Sequence, residues 1–92
     1  MEKSNNNEQN IIIGRNMKKH REMRNKTQAD LANLLGVTAY VIGLIENGRL
    51  GLSSQELCKV AKFFDITTEE MLEEKKTSPY PVELDRIFRR LF

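Results

Sequence analysis

The side chains that could take part in catalysis or metal binding are few and widely spaced in this chain. It has one cysteine, Cys58, which we place on the inner face of a helix, and one histidine, His20, so neither an internal disulfide nor a zinc site is expected. No glycine-rich phosphate loop and no G-x-S-x-G or H-E-x-x-H motif is present. Four glutamates lie close together in the sequence, but no residues that could form a pocket around a catalytic carboxylate pair accompany them: Glu69, Glu70, Glu73 and Glu74. We therefore expect no enzymatic activity, no metal site and no cofactor.

The charged residues are unevenly distributed, although the formal net charge is only +2. Residues 11–29 contain six lysines or arginines and one glutamate, whereas residues 51–74 contain two lysines and six acidic residues. A domain with one basic end and one acidic end can orient on a polyanion such as nucleic acid. The same pattern also fits ordinary solvated helix surfaces, and charge alone does not decide between them.

Helix-capping signals divide most of the chain into five short helices, with no strand-like alternation. The first is predicted from about Ile11 to Arg24. Gly36 and Gly48 are expected to end the second and third helices. The later helices each have a predicted N-cap: Thr27, Thr38, Ser53 and Thr67. The predicted fold is therefore all-α, with a five-helix domain over residues 11–74.

Both ends of the chain are predicted to lie outside this domain. Residues 1–10 are polar and rich in asparagine, and we expect them to be disordered. Residues 75–81 contain two prolines and are predicted to form a linker. Residues 82–92 place five large apolar side chains on one face of an amphipathic helix: Leu84, Ile87, Phe88, Leu91 and Phe92. Because burying them is favourable, this helix should fold back on the domain, dock on another protein or, slightly favoured, pair with a second copy.

Two features of the sequence bear on location. No apolar run approaches the roughly 20 residues that span a bilayer. The first residues lack the basic and apolar regions of a secretory signal. We therefore expect a cytoplasmic protein without a membrane span.

The residues from Gln28 to Ile45 have the pattern of two helices that cross steeply through a tight turn. Such a crossing needs a small residue where the backbones approach, here Ala32, and a residue that tolerates a positive φ, here Gly36. Apolar side chains must also fill the wedge between the helices, and five are suitably placed: Leu31, Leu35, Val37, Ile42 and Ile45. This spacing predicts a helix-turn-helix unit.

Several short segments between residues 13 and 72 match one known family. They are IG at 13–14, Arg21, TQADLA at 27–32, LG at 35–36, IENG at 45–48, VAKFF at 60–64 and DITTEEML at 65–72. With these segments the chain resembles the Xre-type regulators, which are related to the phage lambda repressor and Cro. The resemblance implies a five-helix repressor-like domain that binds double-stranded DNA, usually as a homodimer. It also implies a transcriptional repressor or regulator from a bacterium, a phage or a mobile element, located on the nucleoid when bound to DNA.

In that family the second helix of the motif lies in the major groove with its N-terminal part toward the bases. The resemblance therefore implies that residues 38–47 form the DNA-contacting helix, with Ile42 and Ile45 facing the core. It implies DNA contacts at nine positions: Thr27, Gln28, Thr38, Ala39, Tyr40, Gly43, Leu44, Asn47 and Arg49. Arg24 and Lys26 are expected to flank the same edge.

The outward residues of this helix differ from those usual in the family. Matching positions commonly hold Gln, Arg, Ser or Asn, whereas Ala39, Tyr40 and Leu44 offer mainly apolar surface. Such a face can contact thymine methyl groups but cannot make a bidentate contact with guanine. We therefore expect modest direct readout, supplemented by DNA shape and by Gln28.

The family match also pairs Arg21 with Glu46 as a partly buried ion pair. Both residues lie at core-adjacent positions, so the pair would hold the first helix against the DNA-contacting helix. Because desolvation offsets much of the attraction, such a pair specifies the fold more surely than it stabilises it.

Two functions remain open from the sequence. The favoured hypothesis is a sequence-specific DNA-binding regulator that represses transcription as a homodimer at an operator. The alternative is a protein-interaction module, or an antitoxin or immunity-type regulator, in which the same fold binds DNA weakly and engages a partner protein. The basic first half and Gln28 favour the first hypothesis, and the shortage of polar base-contacting residues favours the second.

Overall fold

Five α-helices make up most of residues 2–74, the part of the chain that the computed structural model describes, with side chains from Glu8 onward. Their bounds are α1 (Glu2–Met23), α2 (Gln28–Leu35), α3 (Ala39–Glu46), α4 (Ser54–Phe64) and α5 (Thr68–Leu72). α1 packs against α3, α4 and α5, and α2 packs against α3 and α4. Because no strand occurs among residues 2–74, the predicted all-α fold is confirmed.

Side-chain caps set the beginnings of the last four helices. The hydroxyl oxygens of the four predicted N-caps each accept a hydrogen bond from the amide of the third helical residue. The cap of α2 is reciprocal, because the Thr27 amide donates to Asp30 Oδ2 at 2.8 Å. Hydrogen bonds from the backbone and side chain of Thr27 lower the pKa of the Asp30 carboxyl. α2 ends at Gly36, whose φ of 71° lies in the left-handed region that favours glycine.

α1 is longer than the sequence indicated. It begins at Glu2, whereas we expected a disordered tail over residues 1–10 and a helix from about Ile11. Residues 2–13 contain no glycine or proline, so nothing in the local sequence interrupts a helix there. Asn10 is half-buried and lies close to Gly51, in the loop after α3. A Cβ atom built on Gly51 would come within 2.6 Å of Asn10 Oδ1. This tertiary contact is not visible in the local pattern.

The core forms where the five helices meet. Leu35 and Val37 pack against its edge, and Cys58, which was predicted to face inward, is exposed. The reason is that residue 58 lies on the flank of α4, away from the face that carries Val60 and Phe64. Ten apolar residues are buried in the core: Ile13, Met17, Leu31, Ala32, Ile42, Ile45, Val60, Ala61, Phe64 and Met71.

α2 and α3 form the steep crossing that the sequence predicted. The chain bends by 104° between them, and the small side chain of Ala32 is buried in the core. These features, with the left-handed turn at Gly36, confirm the helix-turn-helix unit. Among the described residues no single helix is long and apolar enough to cross a bilayer. Of the described helices, only α2 and α3 taken together have the required length and composition, and they are sharply bent relative to each other.

Three predictions concern residues outside those described. They are the linker over residues 75–81, the amphipathic helix over residues 82–92, and the dimer or partner contacts on that helix: Leu84, Ile87, Phe88, Leu91 and Phe92. They stay predictions.

Gly14 marks a close approach between α1 and α3. A Cβ atom built there would overlap the carbonyl oxygen of Ile45 and press on the backbone of Glu46. We expect Gly14→Ala to lower the free energy of unfolding by about 1–3 kcal/mol, because the two backbones must separate to admit a methyl group. Thermal unfolding followed by circular dichroism measures the change.

Gly43 supplies the matched control for this substitution. It also lies within a helix, but among the described residues a Cβ atom there would meet only Gln28 Nε2, at an ordinary 3.8 Å. Gly43→Ala should therefore be neutral or stabilise the fold by up to about 1 kcal/mol, the usual helix preference of alanine over glycine. Equal losses of stability in the two variants would contradict a close contact at Gly14.

Candidate nucleic-acid interface

α3 divides its side chains between the core and solvent. Ile42 and Ile45 are buried, whereas Tyr40, in the first turn, is 75% exposed. Ala39 is also exposed, and Gly43 and Leu44 are half-buried on the same side. The N-terminal part of α3 is therefore open on one side, where Tyr40 is the largest exposed side chain.

A shallow open depression of about 380 Å³ lies beside Tyr40. Gln28 contributes to it from α2, and the other lining residues come from α3 and the residue that follows it. Six of the predicted DNA-contacting residues line this depression: Gln28, Ala39, Tyr40, Gly43, Leu44 and Asn47. The structure thus brings these residues together on one surface, which we call the Tyr40 surface.

The other three predicted contact residues lie outside the depression. Thr27 and Thr38 are exposed N-caps, one residue before the first turns of α2 and α3. The amides in the first turn of a helix have no carbonyl partner within it, so these turns are suited to binding phosphate. Arg49 is exposed and follows Gly48, whose φ of 77° turns the chain after α3.

A buried carboxylate joins α3 to α1. The side chain of Glu46 is only 2% exposed and that of Arg21 12% exposed. Arg21 Nε donates to Glu46 Oε2 at 2.7 Å, and Arg21 Nη2 donates to Glu46 Oε1 at 3.1 Å. The hydrogen bond with Glu46 raises the pKa of Arg21 above its ordinary value, although burial acts in the opposite direction. The ion pair that the family match implied is therefore present, as a two-point contact.

Both members of this pair make a further contact that the sequence did not indicate. Arg21 Nη1 donates to the carbonyl oxygen of Lys26 at 2.9 Å, which holds the turn before α2. Gln28 Nε2 donates to Glu46 Oε1 at 3.0 Å. Gln28 was expected to contact DNA from the start of α2, and the structure also bonds it to the buried pair and leaves it half-buried at the depression. No spacing rule relates positions 28 and 46, because only the crossing of α2 and α3 brings them together.

Arg24 was expected to flank the predicted DNA-contacting edge, and in the structure its guanidinium contacts the C-terminal end of α4. Its Nε donates to the carbonyl oxygen of Phe64 at 3.1 Å, and its guanidinium lies 5.1 Å from the centroid of the Phe64 ring. This arginine therefore closes the C-terminal end of α4 by a hydrogen bond and a cation–π contact. Lys26 is exposed, with Nζ 5.6 Å from the centroid of the Phe63 ring.

The Tyr40 surface offers binding groups of two kinds. Polar groups come from the Tyr40 hydroxyl and from the side-chain amides of Gln28 and Asn47, and apolar contact comes from Ala39 and Leu44. Within residues 2–74, no group of three or more His, Cys, Asp or Glu side chains is placed to hold a metal ion. The arrangement is suited to recognising a surface that presents both hydrogen-bonding and apolar groups.

Comparison with known proteins assigns the family. A helix-turn-helix family model matches residues 17–71, more than half of the chain. The chain belongs to the Xre-type helix-turn-helix family. This family consists of DNA-binding transcriptional regulators, which are generally not enzymes.

Known relatives of this helix-turn-helix protein support the assignment. It is 40% identical over 55 residues to an uncharacterized HTH-type transcriptional regulator of Methanocaldococcus jannaschii, across 60% of this chain and 83% of the relative. The restriction-modification controller protein C.AhdI from Aeromonas hydrophila has a similar structure, with a TM-score of 0.63 and 25% identity, over 71% of this chain and 94% of the controller. A transcriptional regulator from Listeria innocua has a TM-score of 0.64 over 86% of this chain and 74% of its own, and at 15% identity it shows the fold alone.

Removing Arg21 from this helix-turn-helix protein would leave a buried carboxylate without its cation. We expect Arg21→Ala to lower the free energy of unfolding by about 3–5 kcal/mol, the usual cost of breaking a buried pair from one side. For a domain of this size the melting temperature should fall by roughly 10 °C or more. Differential scanning calorimetry at neutral pH measures the shift.

A double variant, Arg21→Met with Glu46→Leu, is the control. It removes both charges and keeps similar side-chain volume, so it should recover much of the stability that the single variant loses. If Arg21→Ala melted within about a degree of the wild type, the pair would not hold α1 against α3.

Proposed function

We propose that this protein is a sequence-specific DNA-binding regulator that inserts α3 into the major groove. The observation that carries the proposal is the exposure of Tyr40, a residue that is 75% exposed in the first turn of α3. Large aromatic side chains are usually sheltered, so one at the centre of an open surface marks a contact with a partner. The family supplies DNA as that partner, and in helix-turn-helix proteins this part of the second helix contacts base edges.

Phosphate contacts are proposed for the residues that border the Tyr40 surface. The first turns of α2 and α3, capped by Thr27 and Thr38, carry the positive ends of their helix dipoles. Arg49 adds a full positive charge just after α3. Because each neutralised phosphate releases counterions, the affinity for DNA should fall as the salt concentration rises.

Base recognition by α3 is proposed to be mainly apolar. Ala39 and Leu44 can contact thymine methyl groups, and the hydroxyl of Tyr40 can form one hydrogen bond with a base edge. Gly43 carries no side chain, which leaves room for a base edge beside the helix. Since this face has few polar groups, the sequence-dependent shape of the DNA should supply further specificity.

We further propose that two copies bind half-sites about one helical turn apart and repress transcription by covering a promoter. One copy presents a single α3 to one stretch of major groove, whereas two linked copies gain affinity because the second contact becomes intramolecular. The similarity to a restriction-modification controller protein and to an HTH-type transcriptional regulator supports gene regulation as the outcome of binding. The dimer contacts predicted on residues 82–92 belong to this proposal.

One observation favours a second candidate function. The α3 side of the depression is lined largely by small or apolar residues, which suit a protein partner as well as a DNA groove. The protein would then be an interaction module, or an antitoxin or immunity-type regulator that combines both contacts. Its partner protein would cover Tyr40 and Leu44 or engage residues 82–92.

Substitution of Tyr40 separates the two candidates. The wild-type chain should bind a duplex taken from upstream of its own gene, with an affinity that falls steeply as salt rises. Tyr40→Ala should weaken this binding about ten-fold, because the central side chain of the contact is removed. Tyr40→Phe should lose less, since only the hydroxyl is absent. Fluorescence anisotropy of labelled duplex measures all three affinities.

Met23→Ala is the matched control. Met23 is similarly exposed, at 66%, but lies at the C-terminal end of α1. Its loss should leave DNA binding unchanged. Equal affinities of Tyr40→Ala and Met23→Ala would contradict a DNA contact through α3, and a wild-type chain that binds no DNA at low salt would leave only the interaction module.

A further inference from the structure

The hydrogen bond between Gln28 and Glu46 determines how the Gln28 amide is oriented. An ionised carboxylate only accepts hydrogen bonds, so the part of the amide that faces Glu46 must be the NH2 group. The 3.0 Å separation of Gln28 Nε2 and Glu46 Oε1 agrees with this orientation. The flipped amide would set an acceptor oxygen against a buried negative charge, with no hydrogen between them.

The carbonyl oxygen of Gln28 is therefore the side-chain acceptor that remains for a partner, beside the second hydrogen of Nε2, which is its remaining donor. Gln28 makes no other side-chain hydrogen bond among the described residues. No fully buried side-chain oxygen or nitrogen in that part of the chain lacks a partner, so Oε1, which has none, is at least partly accessible to solvent. The side chain also lines the depression beside Tyr40, and its Nε2 lies 3.8 Å from the position of a Cβ atom built on Gly43.

We propose that Gln28 Oε1 accepts a hydrogen bond from an exocyclic amino group in the major groove, either N6 of adenine or N4 of cytosine. The proposal rests on the proposed function and makes Gln28 a specificity-determining residue, with Arg21 and Glu46 as its positioning residues. Only these two groups donate hydrogen bonds in the major groove. Guanine O6 and N7, thymine O4 and phosphate oxygens are all acceptors, so none of them pairs with an outward carbonyl oxygen.

The neighbours of Gln28 favour adenine as the source of this amino group. Ala39 and Leu44 line the same depression. Apolar side chains contact the methyl group of thymine, which an A·T pair presents in the same groove as the adenine amino group. A C·G pair presents no methyl group there. An acceptor beside apolar side chains thus matches an A·T pair better than a C·G pair.

Base analogues that lack one amino group test the contact. The probe is a duplex selected from a randomised pool by the full-length wild-type chain. Each adenine is replaced in turn by the purine without its 6-amino group, and each cytosine by the pyrimidinone without its 4-amino group. At one position in each half-site the wild type should lose about three- to ten-fold in affinity, the usual effect of one lost hydrogen bond. A sensitive position in the adenine series identifies adenine N6 as the donor, and one in the cytosine series identifies cytosine N4.

Gln28→Met supplies the comparison, because methionine has similar length but no amide. At the sensitive position this variant should lose less than about two-fold, since it has no hydrogen bond to lose. Gln55→Met makes the same substitution at an exposed site in the first turn of α4 and should respond like the wild type.

Three other outcomes of these binding measurements would contradict the proposal. If the wild type and Gln28→Met respond alike to every analogue, recognition of an amino group is overturned, while DNA binding stands. If their difference in affinity disappears only when one phosphate is replaced by an uncharged methylphosphonate, Gln28 donates to the backbone through Nε2, and the proposal is again overturned. If the wild type retains no duplex at low salt, the proposed function itself fails, and this inference fails with it.

The orientation of the amide can also be measured without DNA. In amide proton spectra of the free chain, one Nε2 hydrogen of Gln28 should exchange with water more slowly than either of those of the exposed Gln55, because it is bonded to a buried carboxylate. Equally fast exchange at both glutamines would overturn the fixed orientation, and with it the assignment of Oε1 as the outward group.

Discussion

The carboxylate of Glu46 is the group on which both the fold and the Tyr40 surface depend. It accepts two hydrogen bonds from Arg21 of α1 and one from Gln28 of α2, while its own backbone belongs to α3. One buried charge therefore joins three helices. Because a buried charge is tolerated only when it is paired and hydrogen-bonded, the helices have few alternative arrangements that would satisfy it. The contact holds α3 at a defined angle to α1 and α2, and so determines which of its side chains reach solvent.

α3 serves the core and the surface at once, which explains its unusual composition. Its eight residues make about two turns, and Ile42, Ile45 and Glu46 use one side of them for packing. The other side is left with small and apolar residues around Tyr40. Most of the polar atoms that a DNA-contacting surface needs are supplied by neighbouring segments, from Gln28 at the start of α2 and from Asn47 and Arg49 after α3. Because α2 and α3 cross, these residues from separate segments lie next to α3 on one side of the protein.

Local signals predicted most of the fold, and contacts between distant residues account for what was missed. A capping box involves residues three apart, so the sequence contains all the information needed to place it. By contrast, the hydrogen bond of Gln28 with Glu46 joins positions 18 apart, and that of Arg24 with Phe64 joins positions 40 apart. The spacing of apolar residues placed Ile42 inward, and the family resemblance placed Tyr40 outward, as the structure shows. The ion pair of Arg21 came from family resemblance, because no spacing rule relates α1 to α3, and the DNA contacts themselves stay predictions.

Chemical-shift mapping tests most directly whether the Tyr40 surface contacts DNA. Backbone amide signals of the full chain are recorded while a duplex from upstream of its gene is added. We predict that the largest changes occur at Tyr40, Gly43 and Leu44 and in the first turn of α2, with little change in α4 and α5. Changes confined to α4 and α5, with the signals of α3 unaffected, would contradict the role assigned to this surface.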